Sequence, residues 1–177
     1  MPEFKLVPFP SSVLPNIYIT GEIQRRDNQV SIHYEVSGDI GQIALPGLAA
    51  PPIRKYDLWK ATCFEFFLAL PGQPQYWEFN MSPSGDWNVY QMDAYRRVGF
   101  QEERLIKQLQ VGFQNEAGKL TMKSDVDLKP LFQNGGALDA GITSVIQAND
   151  GTETYWALAH PGRQADFHLR ESFALTV

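Results

Sequence analysis

An all-β chain, folded as a two-sheet antiparallel β-sandwich with one short helix, is what this sequence predicts. Aromatic residues make up 12% of the chain, and 14 glycines and 12 prolines punctuate it. Aromatic side chains fit the pleat of a strand, whereas glycine and proline supply turn conformations. Apolar residues also recur at every second position through most of the sequence, the spacing that lines one face of a strand. With 177 residues, 44% of them hydrophobic, the chain can bury a core that needs neither disulfide nor metal. Residues 1–177 are therefore read as one domain.

The elements follow in order. Ile17, Ile19, Gly21 and Ile23 alternate with Tyr18, Thr20 and Glu22. Beyond a turn at Arg26-Asp27-Asn28, Val30, Ile32, Tyr34 and Val36 alternate with Ser31, His33 and Glu35, which predicts a hairpin with one apolar face. Residues 37–56 are rich in Gly, Pro and Ala and form a long connection of the kind that shapes binding sites.

The runs 61–70 and 75–82 flank Pro71-Gly72-Gln73-Pro74, so Leu70 is expected opposite Gln75. Phe64 then faces Met81, Phe66 faces Phe79, and Leu68 faces Trp77. The other face gathers Glu65 opposite Asn80 and Phe67 opposite Glu78. A slip of one residue would mix the two faces, so the pattern specifies the register. After a turn at 82–86, a strand at 87–93 pairs Trp87 with Met81 and sets Asn88 and Tyr90 beside Asn80 and Glu78. Further strands are expected at 105–114, 118–126, 138–148 and 153–160, with turns at 115–118 and 149–151. The short helix is expected near 95–104, and 128–136 has room for one helical turn.

The net charge is −5, from 15 basic and 20 acidic residues, and no basic run is present. Nucleic acid and anionic membrane are thereby set aside as partners. The single cysteine, Cys63, excludes an internal disulfide framework and a multi-cysteine metal site, and its apolar strand marks it as an inert buried thiol. The opening MPEFKLVPFPSS lacks the apolar core of a signal peptide, and no stretch is long enough to span a membrane. A cytoplasmic location is the expectation.

One cluster carries the functional signal. Glu65, Tyr76, Glu78, Asn80, Asn88 and Tyr90 fall on one sheet face, joining directional donors and acceptors to flat apolar rings. That mixture suits a sugar, although an ordinary solvated sheet face has the same pattern. Trp59, after the long connection, and Arg96 are expected at the rim. Glu65 and Glu78 also stand in the relation of a glycosidase carboxyl pair. His160, Asp166 and His168 form a candidate metal set of no standard spacing. The simpler arrangement pairs Asp166 with Arg170 and hydrogen-bonds the histidines to backbone. Trp77, Trp87 and Trp156 fall at core positions, and His33 on a polar face is structural or solvated. No Gly-rich phosphate loop, G-x-S-x-G elbow or Cys/His nucleophile arrangement is present.

Residues 58–67 (LWKATCFEFF), 76–90 (YWEFNMSPSGDWNVY), 155–161 (YWALAHP) and 166–168 (DFH) resemble DOMON-like domains, which are similar to the family 9 carbohydrate-binding modules. The resemblance implies a β-sandwich and a binding role toward sugars or haem. It also implies a link to domains of the peptidoglycan-precursor reductase type, and hence to a cell-wall sugar or nucleotide sugar. Haem-binding relatives use a methionine and a histidine as axial ligands, a pattern that Met81, Met92 and Met122 do not match. Sugar-binding relatives clamp the ring between two exposed tryptophans, whereas those here fall at core positions.

The reading is therefore a non-catalytic domain, without a required cofactor, that binds a carbohydrate or related small polar ligand. Its expected site comprises Trp59, Glu65, Tyr76, Glu78, Asn80, Asn88, Tyr90 and Arg96. A haem or calcium module, a sugar-processing enzyme using Glu65 and Glu78, and a protein-interaction domain remain open alternatives.

Overall fold

A computed structural model describes residues 2–11, 13–95, 101–116, 118–132 and 135–177. The chain opens with two short strands, β1 (Glu3–Lys5) and β2 (Val7–Pro8). The hairpin β3 (Ile17–Arg26) and β4 (Gln29–Gly38) follows. After a long connection come β5 (Cys63–Ala69), β6 (Tyr76–Met81), β7 (Trp87–Met92) and the short β8 (Gln101–Glu102). The last strands are β9 (Gln110–Glu116), β10 (Lys119–Asp127), β11 (Asp139–Gln147), β12 (Glu153–Ala157) and β13 (Leu175–Thr176).

Among the described residues these strands form two antiparallel sheets. One runs β1-β3-β4-β10-β9. The other runs β2-β12-β11-β5-β6-β7-β8, with β13 paired to β11. The alternation in β3, β4 and β10 turns Ile19, Ile23, Val30, Ile32, Tyr34, Val36, Leu120 and Met122 inward, where they meet Phe64, Phe66, Phe79, Met81, Val89 and Ile142 from the second sheet. This is the two-sheet sandwich that the sequence predicts. Tyr34 crosses the core: its hydroxyl donates to the backbone oxygen of Glu65 at 2.7 Å, so a fully buried polar tip is satisfied by the facing sheet.

The register of β5 on β6 sets Phe64 opposite Met81, Glu65 opposite Asn80, Phe66 opposite Phe79 and Phe67 opposite Glu78. That of β6 on β7 sets Glu78 opposite Tyr90, Asn80 opposite Asn88 and Met81 opposite Trp87. Both registers agree with the sequence reading. The second sheet differs from the first in burial, because every residue of β5 and β6 is buried. Its outer face is covered by two segments of the chain rather than solvated.

The first cover is the connection after β4. Its backbone is stitched to the β6–β7 turn: Ala49 N donates to Ser84 O at 2.8 Å, Trp87 N donates to Ile53 O at 3.1 Å, and Ile53 N donates to Asp86 Oδ1 at 3.0 Å. Gly85, at φ +92°, lets Pro52 pack against this turn, since a Cβ there would lie 3.0 Å from its ring. The Arg54 guanidinium lies 4.3 Å from the centre of the Trp87 ring and donates to Asn88 Oδ1 at 2.8 Å. The second cover is the segment after β12. Its Phe173 reaches the sheet where Gly141 removes a Cβ that would come within 2.9 Å of the ring.

Several expectations are corrected. Residues 101–102 of the expected helix form β8, paired with Tyr90 and Gln91, and 96–100 lie outside the described residues. Helical turns occur instead at Ile40–Gln42, Leu58–Lys60 and Arg170–Ser172. The expected strand 105–114 begins only at Gln110, because the preceding residues carry the chain from one sheet to the other, burying Ile106 and Leu109 on the way. The strand expected to reach His160 ends at Ala157, before Pro161 and Gly162. Strands β1 and β2, with Phe4 of β1 and the intervening Leu6 buried, have no counterpart in the sequence reading.

Replacing Phe66 with alanine should cost about 3–5 kcal/mol in urea denaturation, because it empties a fully buried ring site. Tyr34→Phe should cost about 1 kcal/mol, the net worth of one buried hydrogen bond.

Candidate functional site

On the outer face of the second sheet, the two covering segments leave a cleft of about 330 Å³ between them. Its floor is Glu65 from β5, Glu78 from β6 and Tyr90 from β7, three side chains that the register puts on one face. One wall is Trp59, carried on the helical turn Leu58–Lys60 and set edge-on to Tyr90 with ring centroids 5.7 Å apart. The opposite wall comes from Glu153 and Tyr155 on β12 and from Asp166, Phe167 and His168. Register explains how β12 reaches the site: Thr143 of β11 pairs with Glu65, and Val145 of β11 pairs with Tyr155.

The floor is electrostatically unusual. Glu65 is 2% exposed, and its Oε2 accepts from Thr143 Oγ1 at 3.1 Å, while Oε1 has no hydrogen-bond partner. Burial pushes this carboxyl well above the usual range, and the charge of Glu78 adds to the shift. Glu78 accepts from Asn80 Nδ2 at 2.8 Å. Burial raises its pKa to about 7, against the lowering effect of that bond. Tyr90 accepts from Asn88 Nδ2 at 3.0 Å, and burial, followed by Glu78, raises its hydroxyl so that it stays protonated. At neutral pH the floor thus holds one carboxyl near its titration midpoint, a second that burial also drives toward its protonated form, and a phenol. Together they offer both donors and acceptors to a polar ligand.

The residues singled out from the sequence divide into three groups. Trp59, Glu65, Glu78 and Tyr90 line the cleft. Tyr76, Asn80 and Asn88 lie on the same face as supports. The Tyr76 hydroxyl is 3.0 Å from His168 Nδ1. Asn80 bonds Glu78 and lies near the Cys63 sulfur, a fully buried thiol that burial pushes up in pKa. Asn88 is engaged by Arg54, Tyr90, Glu102 and the Lys55 carbonyl. Arg96 lies outside the described residues.

The candidate metal set does not assemble. His160 Nε2 is 2.9 Å from the Val7 carbonyl, and its ring packs edge-on to Phe9, whereas His168 lies against Tyr76 and Phe67. Among the described residues no three His, Cys, Asp or Glu side chains converge to hold a metal ion. The expected Asp166–Arg170 pair is also replaced. Arg170 donates to Asp139 Oδ2 at 2.8 Å, and Asp166 accepts from the Tyr95 hydroxyl at 2.7 Å and from His168 N at 3.0 Å. Met81 and Met122 belong to the core between the sheets, on the far side of the second sheet from His168.

Comparison with known proteins bears on the architecture. No family model matches the chain, and no curated protein matches it. A crystal structure of a protein from Bacteroides uniformis ATCC 8492, proposed to bind carbohydrate, superposes with a TM-score of 0.70 at 11% identity, covering 97% of this chain and 83% of that one. A family 9 carbohydrate-binding module from Caldicellulosiruptor kristjanssonii, in complex with cellotriose, gives 0.50 at 12% identity, covering 87% and 71%. The chain has the fold of the family 9 carbohydrate-binding modules.

Within this family-9-like sandwich, sequence reasoning missed Lys60, Val145, Glu153, Tyr155 and Phe167 as lining residues, and assigned Asp166 and His168 to a metal. Period-two spacing puts Glu153 and Tyr155 on one face of β12, but only the pairing of β11 with β5 brings that face to Glu65. Nothing local to the 165–168 segment shows that it folds over the sheet.

The floor makes stability depend on pH. Between about 4.5 and about 7 the folded chain keeps a proton on Glu78 that the unfolded chain has released. Stability therefore falls as pH rises through that window, by on the order of 3 kcal/mol from Glu78. Glu65, also raised by burial, adds to the fall in the same direction. Thermal melts should show a higher Tm near pH 5 than near pH 8, with a shallower slope in Glu78→Gln. A profile that rises through this window would contradict the assignment.

Proposed function

We propose that the chain is a non-catalytic carbohydrate-binding domain whose saccharide lies in the cleft over Glu65, Glu78 and Tyr90. One observation carries this reading: a buried carboxyl with an unpartnered oxygen forms the floor of an aromatic-walled cleft of ligand size. A buried polar atom without a partner is costly, and a hydroxyl-rich ligand supplies the missing bond. Trp59 and Tyr155 give the flat apolar surfaces against which a pyranose ring packs. The binding of cellotriose by a module of the same fold is consistent with it.

Thermal melts and calorimetry against mono- and oligosaccharides test the proposal. A saccharide at 100 times its Kd should stabilise the fold by about 2.7 kcal/mol. Trp59→Ala and Glu78→Gln should each weaken the interaction about tenfold or more, as expected for a lost ring contact and a lost bond to a charged group. Absence of any saccharide shift across a broad panel would contradict the reading.

A second reading has one specific observation behind it, two buried carboxyls on adjacent strands of one face. Glycoside hydrolysis needs one carboxyl protonated and the other ionised. Here burial drives both toward the protonated form, which favours binding over hydrolysis. Release of reducing ends by the wild type, abolished in Glu78→Gln, would reverse that preference.

A further inference from the structure

We propose that the saccharide is basic: an amino sugar whose protonated amine sits between the Glu65 and Glu78 carboxyls while its ring lies against Trp59 and Tyr155. This specifies the carbohydrate reading above and rests on it.

Two carboxyl oxygens at the floor of the cleft lack hydrogen-bond donors among the described residues. Glu65 Oε1 has no partner, and Glu78 accepts from Asn80 through Oε1, with Oε2 taking no hydrogen bond from the described residues. The two carboxyls are diagonal neighbours on adjacent strands, since Glu65 pairs with Asn80, two residues along from Glu78. Such neighbours are close enough for one small group to touch both. An ammonium carries three donors and no acceptor, which matches a pair of under-bonded carboxyls, whereas a hydroxyl donates once and brings no charge.

The surroundings point the same way. Glu153 and Asp166 add two acids to the lining, and the ammonium of Lys60 is paired with Asp57 at 2.6 Å at the exposed rim. Trp59, Tyr90, Tyr155 and Phe167 present ring surface on several sides, and aromatic faces attract cations where water is excluded. Binding of a cation also favours the ionised carboxyls, so below about pH 7 it should release protons from Glu78 and Glu65. Among the described residues, the other titratable side chains facing that pair are Tyr90, Glu153, Tyr155, Lys60, Asp166 and His168 along the cleft, and the buried Cys63 thiol beside Glu65.

Three β-1,4-linked trisaccharides that differ only at C2 separate the alternatives: the glucosamine trimer, its N-acetylated form and cellotriose. Calorimetry at pH 6.5 and physiological salt, in two buffers of different ionisation enthalpy, should show the glucosamine trimer binding about tenfold tighter or more than the other two, with net proton release. Glu78→Gln and Glu65→Gln, each checked for native circular dichroism, should weaken the glucosamine trimer at least about tenfold more than they weaken cellotriose, so that most of the preference is lost. Equal or tighter binding of cellotriose or the N-acetylated trimer would overturn the amine assignment and leave the carbohydrate reading standing. An amine preference unchanged in both variants would also overturn it. Failure of all three trisaccharides to bind would overturn the amine assignment, and the carbohydrate reading would fall with it only if the broader saccharide panel also produced no shift.

Discussion

Phe66 stacks on Phe79 with ring centroids 4.4 Å apart and planes 4° from parallel, and the register this pair holds governs everything at the cleft. Side chains alternate along a strand, so the register that turns Phe64, Phe66 and Phe79 into the core also turns Glu65, Glu78 and Asn80 away from it. A shift of β6 by one residue would drive Glu78 between the sheets, where an uncompensated carboxyl costs several kcal/mol. The core and the site are therefore selected by the same pairing. The Tyr34 hydroxyl adds a tie from the first sheet to the backbone of Glu65, so the residue at the floor of the cleft is fixed by its main chain from behind.

The outer face of the second sheet is covered by the chain itself, and that cover turns a polar face into a cleft. Carboxyls on an open sheet face would be solvated and ordinary. Here Phe67, Tyr76 and Phe173 form a small apolar cluster beside them, with Phe167 and Trp59 packed against it. Removal of water raises both carboxyls and leaves Glu65 short of a partner. The Arg54–Trp87 contact and the backbone bonds to the β6–β7 turn hold the covering loop in place, and the helical turn bearing Trp59 follows from it. The cover thus leaves Glu65 Oε1 buried without a hydrogen bond, which the proposed ligand would supply.

Much of this was legible in the sequence because it depends on period-two alternation. Phe64, Phe66 and Leu68 against Met81, Phe79 and Trp77 allow one register, and that register alone groups Glu65, Glu78 and Tyr90. The turn chemistry at Pro71-Gly72 and Ser82–Asp86 bounded those strands. The far wall was not legible, because nothing near Tyr155 or Phe167 encodes that β11 inserts between β12 and β5. The electrostatics were hidden for the same reason, as burial of Glu65 and Glu78 comes from segments distant in sequence. Asp139 as the partner of Arg170, in place of Asp166, is likewise a consequence of β11 lying beside the closing strand β13. The likeness of the motifs to DOMON-like domains rests on sequence alone, whereas the family 9 architecture rests on superposition.

The most direct test of the central claim is a nitrogen-15 and indole NMR titration of the protein with an oligosaccharide that shifts its melting temperature. The account predicts perturbations confined to the Trp59 indole and to the amides around Glu65, Glu78, Tyr90, Tyr155 and His168. Perturbations centred on the outer face of the first sheet, with the Trp59 and Glu78 signals unmoved, would contradict it.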